Sequence, residues 1–334
     1  KLPMYSSRGA ALTVLISSAG RRVELMAAFR EAAENLEQEL RVIGADFSPH
    51  LSAACRRADT SFQVPRCTGT DFITVLVDIC RREQVALLVP TIDTELAVLA
   101  AHAEAFAAIG TRVVVASPSV VDIARDKLRT ATVLSAAGIN VPRTAVLQEF
   151  LDAPQTWQWP VVLKPIGGSS SIGLKIAEDI DDVRRAGAQR DDYLVQELWR
   201  GREYTVNVFF DRSGALRCAV PHLRIETRGG EVSKGRTEDV PVLRDAARKI
   251  AAALPGARGP LCFQAIVRED GAYAVFEINA RFGGGYPLAH KAGARFTQWL
   301  LEETLGLPCT ANDNWKPGVT MLRYDSAVFL GADE

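Results

Sequence analysis

Apolar and polar positions along the first third of the chain switch between two periods. Leu12–Ser17, Leu40–Ala45, Thr60–Pro65, Val85–Pro90 and Thr111–Val115 read as short β runs, the second ending at Asp46. Between them, Arg22–Ala33, Thr70–Glu83 and Asp93–Ala108 read as helices; in the second, Phe72, Val75, Leu76 and Ile79 share one face. This βαβα order predicts a parallel sheet covered on both sides. Ligands of such sheets bind beyond the carboxyl ends of the strands. Ser17, Ser18, Gly20, Arg21, Asp46, Thr91, Asp93 and Glu95 fall there.

From about Ser117 the pattern changes. Pro118–Ala137 predicts one or two helices, broken by Gly138 and Pro142. β runs then dominate: Thr144–Leu147, Val161–Lys164, Ile172–Ile176, Tyr193–Leu198, Tyr204–Asp211, Leu216–Ile225, Leu261–Arg268 and Tyr273–Ile278. Helices are expected near Asp179–Gly187, Val240–Leu254 and Leu288–Leu305, and a last strand near Val319–Tyr324. Gly271 after Asp270 predicts a hairpin turn. The pattern therefore predicts α/β plus α+β: a Rossmann-like parallel-sheet unit up to about Ser117, then a part built on antiparallel pairs.

Composition changes this picture little. Of 334 residues, 48% are hydrophobic and 24% charged, with 39 basic against 40 acidic and a formal net charge of −1. That balance predicts neither nucleic acid nor an anionic membrane as partner, and no apolar run has the length of a membrane span. The six cysteines (55, 67, 80, 218, 262 and 309) form no CxxC pair and no zinc spacing, which predicts buried thiols in a reducing cytoplasm. Residues 1–9 are expected to be a loose tail, and a homodimer is the commonest assembly for a soluble oligomer.

Three segments carry candidate chemistry. Gly167-Gly-Ser-Ser-Ser-Ile-Gly173 follows an apolar strand ending in Lys164-Pro165. Its glycines let N–H groups turn toward an anion, and Ser169, Ser170 and Ser171 add hydroxyl donors. It is not a Walker A loop, because Leu174 follows the last glycine. Taken alone, it fits a phosphate-covering hairpin or an ordinary flexible one. Lys164 can reach phosphate oxygens from the strand end. In Phe276-Glu-Ile-Asn-Ala-Arg281, Glu277 and Asn279 lie two apart on a strand and share a face, with Gln264 on the preceding strand. These oxygens suit Mg²⁺, and Arg281 can clamp phosphoryl or carboxylate oxygens on the same face. In Val195–Val206 a strand turns at Gly201 and re-enters. The backbone of Glu197–Trp199 can pair with an adenine edge, and Glu203 can accept from a ribose diol.

In this order, these elements resemble the ATP-grasp superfamily over about residues 12–310, most closely the carbamoyl-phosphate synthetase large-subunit-like branch that includes the pyrrolysine-pathway ligase. The resemblance implies a pre-ATP-grasp domain (1–117), a small subdomain with the glycine-rich loop (118–199) and a C-terminal subdomain with the metal site (200–334). It implies ATP and Mg²⁺, with Mn²⁺ as a substitute. Lys127 and Lys164 would contact the α- and β-phosphates, and Gly167, Gly168 and Gly173 with the three serines would close over them. Gln196, Glu197 and Trp199 would line the adenine hinge, and Glu203 would take the ribose. Gln264, Glu277 and Asn279 would hold two metals, while Arg281 would stabilise an acyl phosphate. Many members carry a carboxylate where Gln264 stands; the synthetase-like branch resembles this chain in using glutamine. Phe282-Gly-Gly-Gly285 departs from that branch, which has a serine-rich stretch there.

The implied activity is an ADP-forming ligation of a small carboxylate to an amine. Ser18, Arg21, Asp93 or Glu95 are expected to face the acceptor, and Arg224, Lys234 and Arg323 are further candidates to meet a carboxylate or phosphate. The alternatives are a carbamoyl-phosphate synthetase-like enzyme acting on bicarbonate and a non-catalytic nucleotide-binding module. A dinucleotide oxidoreductase needs G-x-G-x-x-G, whereas Ser17-Ser-Ala-Gly-Arg-Arg22 offers one glycine.

Overall fold

The computed structural model of the chain describes residues 10–168 and 173–334. Ser169, Ser170, Ser171 and the N-terminal residues 1–9 lie outside the described residues.

The first unit comprises β1 (Leu12–Ser17), α1 (Val23–Asn35), β2 (Leu40–Asp46), α2 (Ala53–Arg57), β3 (Thr60–Gln63), α3 (Phe72–Arg82), β4 (Leu87–Pro90), α4 (Asp93–Ala101), α5 (Ala103–Ala107) and β5 (Arg112–Val113). Its strands form one parallel sheet in the order β3-β2-β1-β4-β5. The order reverses between β1 and β4, the point where such sheets leave a crevice. Here the crevice is filled from within. Glu95 accepts from Ser17 Oγ at 2.7 Å, Ser18 Oγ at 2.8 Å and Thr91 N at 2.8 Å, while Thr91 Oγ1 donates to the Ser17 and Ser18 carbonyls. Glu95 is wholly buried, so it is a strut between strand ends and not a residue offered to an acceptor. The stretch 93–108, expected as one helix, is two: the first stops at His102, whose ring Nδ1 meets the Val98 carbonyl.

The second unit contains α6 (Pro118–Arg125), α7 (Lys127–Ala136), β6 (Thr144–Val146), α8 (Leu147–Asp152), β7 (Val161–Pro165), β8 (Lys175–Ala177), α9 (Ile180–Gly187) and β9 (Tyr193–Glu197). Its four strands pair antiparallel in the order β6-β9-β7-β8. The third unit contains β10 (Arg202–Phe210), β11 (Leu216–Arg228), β12 (Glu231–Thr237), α10 (Pro241–Ala253), β13 (Gly259–Val267), β14 (Tyr273–Asn279), α11 (Tyr286–Lys291), α12 (Phe296–Leu305) and β15 (Thr320–Leu322). They form a six-stranded antiparallel sheet in the order β14-β13-β10-β11-β12-β15. The helix expected over 288–305 is split at Gly293, whose φ of +106° a helix cannot continue through.

The period of two along these strands separates oil from chemistry. One face of the large sheet carries Tyr204, Val206, Val208, Leu261, Phe263 and Ala265, packed on Leu243, Ala246 and Ile250 of α10 and on Val120, Val121 and Leu134. The other face carries Glu203, Thr205 and Asn207 on β10, His222 and Arg224 on β11, Cys262 and Gln264 on β13, and Glu277 and Asn279 on β14. Further along that face Phe209 meets Phe296 and Trp299, which close its end.

Candidate functional site

The metal-ligand candidates fall in register. Gln264 pairs with Glu277, Cys262 with Asn279 and Thr205 with Gln264, so the three oxygen-bearing side chains line one strip of sheet. Among the described residues no donor hydrogen-bonds Glu277. Burial raises its pKa, and Lys127 and Lys164 oppose that as charges. One carboxylate with two amide oxygens is too few donors for an all-protein cage, and no cluster of three His, Cys, Asp or Glu exists among the described residues. The donor set fits Mg²⁺, which keeps waters and takes further oxygens from phosphates.

Lys164 is buried inside β7, with Nζ 4.7 Å from the centre of the Phe276 ring. Burial depresses its pKa to about 8, against the pull of Glu277. Lys127 opens α7, capped by Asp126, and its Nζ donates to the Gly168 carbonyl at 2.8 Å. Gly168 takes φ +103°, and Gly173 φ +80° beside Pro165, so the described ends of the glycine-rich segment need glycine.

Between the two antiparallel sheets lies a cavity of about 250 Å³ lined by both lysines, Gly168, Gln196, Glu197, Trp199, Glu203, Gln264 and Glu277, with apolar walls from Val162, Ile176, Leu198, Ile266 and Phe276. Strand pairing stops at Glu197, which leaves the backbone at 198 and 199 at the cavity edge. Gln196 Nε2 donates to Thr144 Oγ1 at 3.0 Å. The Arg268 guanidinium lies 3.5 Å over the Trp199 ring and 3.8 Å from Glu197, bracing both. Arg224 lies 3.2 Å from Glu203. Asn279, which ends β14, and Arg281, just past it, are not in the lining of this cavity.

Sequence patterning alone does not reveal how Arg281 is held. Its Nη2 and Nε donate to Asp93 Oδ2 at 2.7 and 3.2 Å across 188 residues of chain. Burial pulls the Arg281 pKa down, and Asp93 together with Cys262 and Glu277 more than offsets it, for a net rise. Asp93 stands at the expected strand end but engages this arginine. Gly283, Gly284 and Gly285 owe their place to close approach. A Cβ would lie 3.1 Å from Asn207 Oδ1, 2.7 Å from Glu231 Cδ and 2.7 Å from Val232 Cγ1, respectively. A second cavity of about 780 Å³ opens beside them, between the parallel-sheet unit, α11 and residues 319–328.

Residues 124–285 match a family model described as an ATP-grasp domain, and residues 14–114 one described as the PylC-like N-terminal domain. The segment 124–285 is thus matched as an ATP-grasp domain, preceded by a PylC-like N-terminal domain. The chain is 31% identical over 144 residues to a D-alanine–D-alanine ligase of Stutzerimonas stutzeri, covering 41% of this chain and 46% of that one. It thus spans less than half the length of that curated relative. Biotin carboxylase from Campylobacter jejuni shares the fold with a TM-score of 0.74 at 15% identity, covering 92% of this chain and 74% of that one. An L-amino acid ligase from Bacillus licheniformis does so with a TM-score of 0.66 at 17% identity, covering 88% and 74%. No helix among the described residues is long and apolar enough to cross a membrane.

Proposed function

We propose that this chain is an ATP-dependent ligase that joins the carboxylate of one small molecule, of the amino-acid type, to the amine of another, releasing ADP and phosphate. The observation that carries this reading is the meeting of two lysines with Gln264 and Glu277 in the lining of one cleft between the two antiparallel sheets. In it the apolar walls and the 198–199 backbone take the base, Glu203 takes the ribose, and Lys127 and Lys164 take the α- and β-phosphates. The glycine-rich segment, whose described members are Gly167, Gly168 and Gly173, would close over them. Gln264, Glu277 and Asn279 would hold Mg²⁺, for which Mn²⁺ can substitute. When bound, the metal neutralises phosphate charge during transfer.

A carboxylate oxygen attacks the γ-phosphorus and the bond to ADP breaks, giving an acyl phosphate. The amine nitrogen then attacks the acyl carbon, phosphate leaves and the nitrogen loses a proton. Arg281, fixed by Asp93, stabilises the negative charge that develops on the acyl oxygens. The second cavity, at about 780 Å³, holds a far larger acceptor than bicarbonate, which favours ligation over carbamoyl-phosphate synthesis. The test is ADP release with Mg²⁺ over pairs of amino acids, beside bicarbonate with ammonia. We expect an amino-acid pair to stimulate release and to give an amide by mass. Stimulation by bicarbonate alone would assign the synthetase-like activity, and no turnover with either would leave the binding module.

A pH dependence follows from Lys164. With its pKa near 8 in the nucleotide-free protein and near 10.4 when unfolded, the unfolded chain binds more protons between these values. This group therefore adds stability as pH rises through that window. Nucleotide binding works in the opposite sense, because phosphate favours the ammonium form. ADP affinity should fall as pH rises from 7 to 9. Calorimetry in buffers of different ionisation enthalpy should show proton uptake on binding, and uptake of none would remove Lys164 from the phosphate site.

A further inference from the structure

The second cavity carries an imbalance of charge that the phosphoryl chemistry does not use. Arg22, which precedes α1, Arg323, which follows β15, and the exposed Arg21 stand around Glu231 at 3.6, 3.6 and 4.0 Å. These separations exceed hydrogen-bond distance, so Glu231 saturates none of the three guanidinium forks. Three cations against one carboxylate leave a surplus of two positive charges. Arg281 is left out of this count because it is paired with Asp93.

The side chains of Arg22 and Arg323 are only 20% and 28% exposed. Arg323 donates to the Gly284 carbonyl at 2.7 Å and to the Val232 carbonyl at 3.3 Å, which fix its direction, whereas the Arg22 guanidinium reaches only the Thr91 carbonyl at 3.4 Å. Burial lowers the Arg22 pKa; Arg281 and Arg323 add to that and Glu231 opposes it. Shielded guanidinium groups of one sign call for an oxyanion, whose geometry their planar forks match. Its distance from the reaction is bounded. Gly284 follows Arg281 by three residues, which span at most about 10 Å. A small-molecule substrate a few residue lengths long can span that backbone separation.

We propose that Arg22 and Arg323 anchor a free oxyanionic group, a carboxylate or a phosphate, on the acceptor substrate while its other end reacts beside Arg281. This rests on the ligase reading and narrows its acceptor to a molecule that keeps an anionic group through the reaction. Glu231 spaces the two guanidinium groups, and it approaches because Gly284 has no side chain: a Cβ there would lie 2.7 Å from its Oε1.

The test is calorimetric binding to the full chain, with and without MgADP, of the amino acids, their carboxamides, phosphoserine and phosphoethanolamine. At least one anionic compound should bind, with its carboxamide or dephosphorylated counterpart at least tenfold weaker. Arg22→Gln and Arg323→Gln should each weaken the anionic compound about 10- to 100-fold, the usual worth of a hydrogen bond to a charged group. Arg323→Lys should retain part of the affinity. Whether the carboxylates or the phosphorylated amines bind tighter assigns the group. Equal binding of acid and amide, unchanged affinity in both glutamine variants, or no binding by any anionic compound would overturn the proposal. Should Arg323→Gln fail to fold, Arg22→Gln and the wild-type comparison still decide it. MgADP binding is read separately: its absence strikes the ligase reading, and its presence with equal acid and amide binding strikes only the anchor.

Discussion

Glu277→Ala is expected to lower ADP release by roughly 10³-fold or more, the scale on which one charge-stabilising group in a water-poor site acts. Glu277 is the sole carboxylate on the Gln264–Glu277–Asn279 strip and lies within the electrostatic reach of both lysines. Glu277→Gln keeps the shape and removes the charge, so a comparable loss in that variant would assign the effect to metal and phosphate electrostatics. The fold should survive both. Without Glu277, Lys164 loses its counter-charge but can release its proton. With a pKa of about 8 this costs at most about 1.4 kcal/mol at pH 7. Low turnover, a raised Mg²⁺ requirement and little change in melting temperature form the expected pattern. Full turnover in Glu277→Ala would remove the strip from the mechanism.

What the sequence revealed follows from distance along the chain. Glu277 and Asn279 share a face through the period of two, and the tight Asp270-Gly271 hairpin brings Gln264 opposite Glu277. Lys164 and Gly168 are joined by one short strand end, so their proximity is also local. The parallel unit was legible from its apolar runs, because a sheet covered on both faces leaves no polar alternation. The Arg281–Asp93 pair was not legible, since it depends on how two separately folded units meet. Arg22, Glu231 and Arg323 come from three elements and converge only in the assembled chain. The Glu95 strut misled for a different reason: a carboxylate at a strand end looks like a ligand until its bonds to Ser17, Ser18 and Thr91 are seen. None of the three glycines after Phe282 takes positive φ. Their constraint is the neighbours pressing on each Cα, which no local pattern encodes.

Asp93→Asn should have the largest effect on stability. The Asp93 and Arg281 side chains are 8% and 11% exposed, so neutralising the aspartate leaves a guanidinium shielded from water without its paired carboxylate. Removing one partner of such a pair typically costs about 3–5 kcal/mol, more than the intact pair contributes over apolar replacements. Asp93→Asn should therefore lower the denaturant midpoint markedly. The double variant Asp93→Asn/Arg281→Met should recover a good part of that loss, since it removes the stranded charge as well. Turnover separates structure from positioning. In Asp93→Asn the arginine remains but its Nε and Nη2 lose the carboxylate that aims them, so kcat should fall about 10- to 100-fold at saturating ATP, as expected for a misplaced charge. If the double variant is no more stable than Asp93→Asn alone, the pair is not the clasp between the parallel-sheet unit and the reaction strip. If Asp93→Asn keeps full kcat, Arg281 is aimed by its contacts to Phe282 and Asn279 alone.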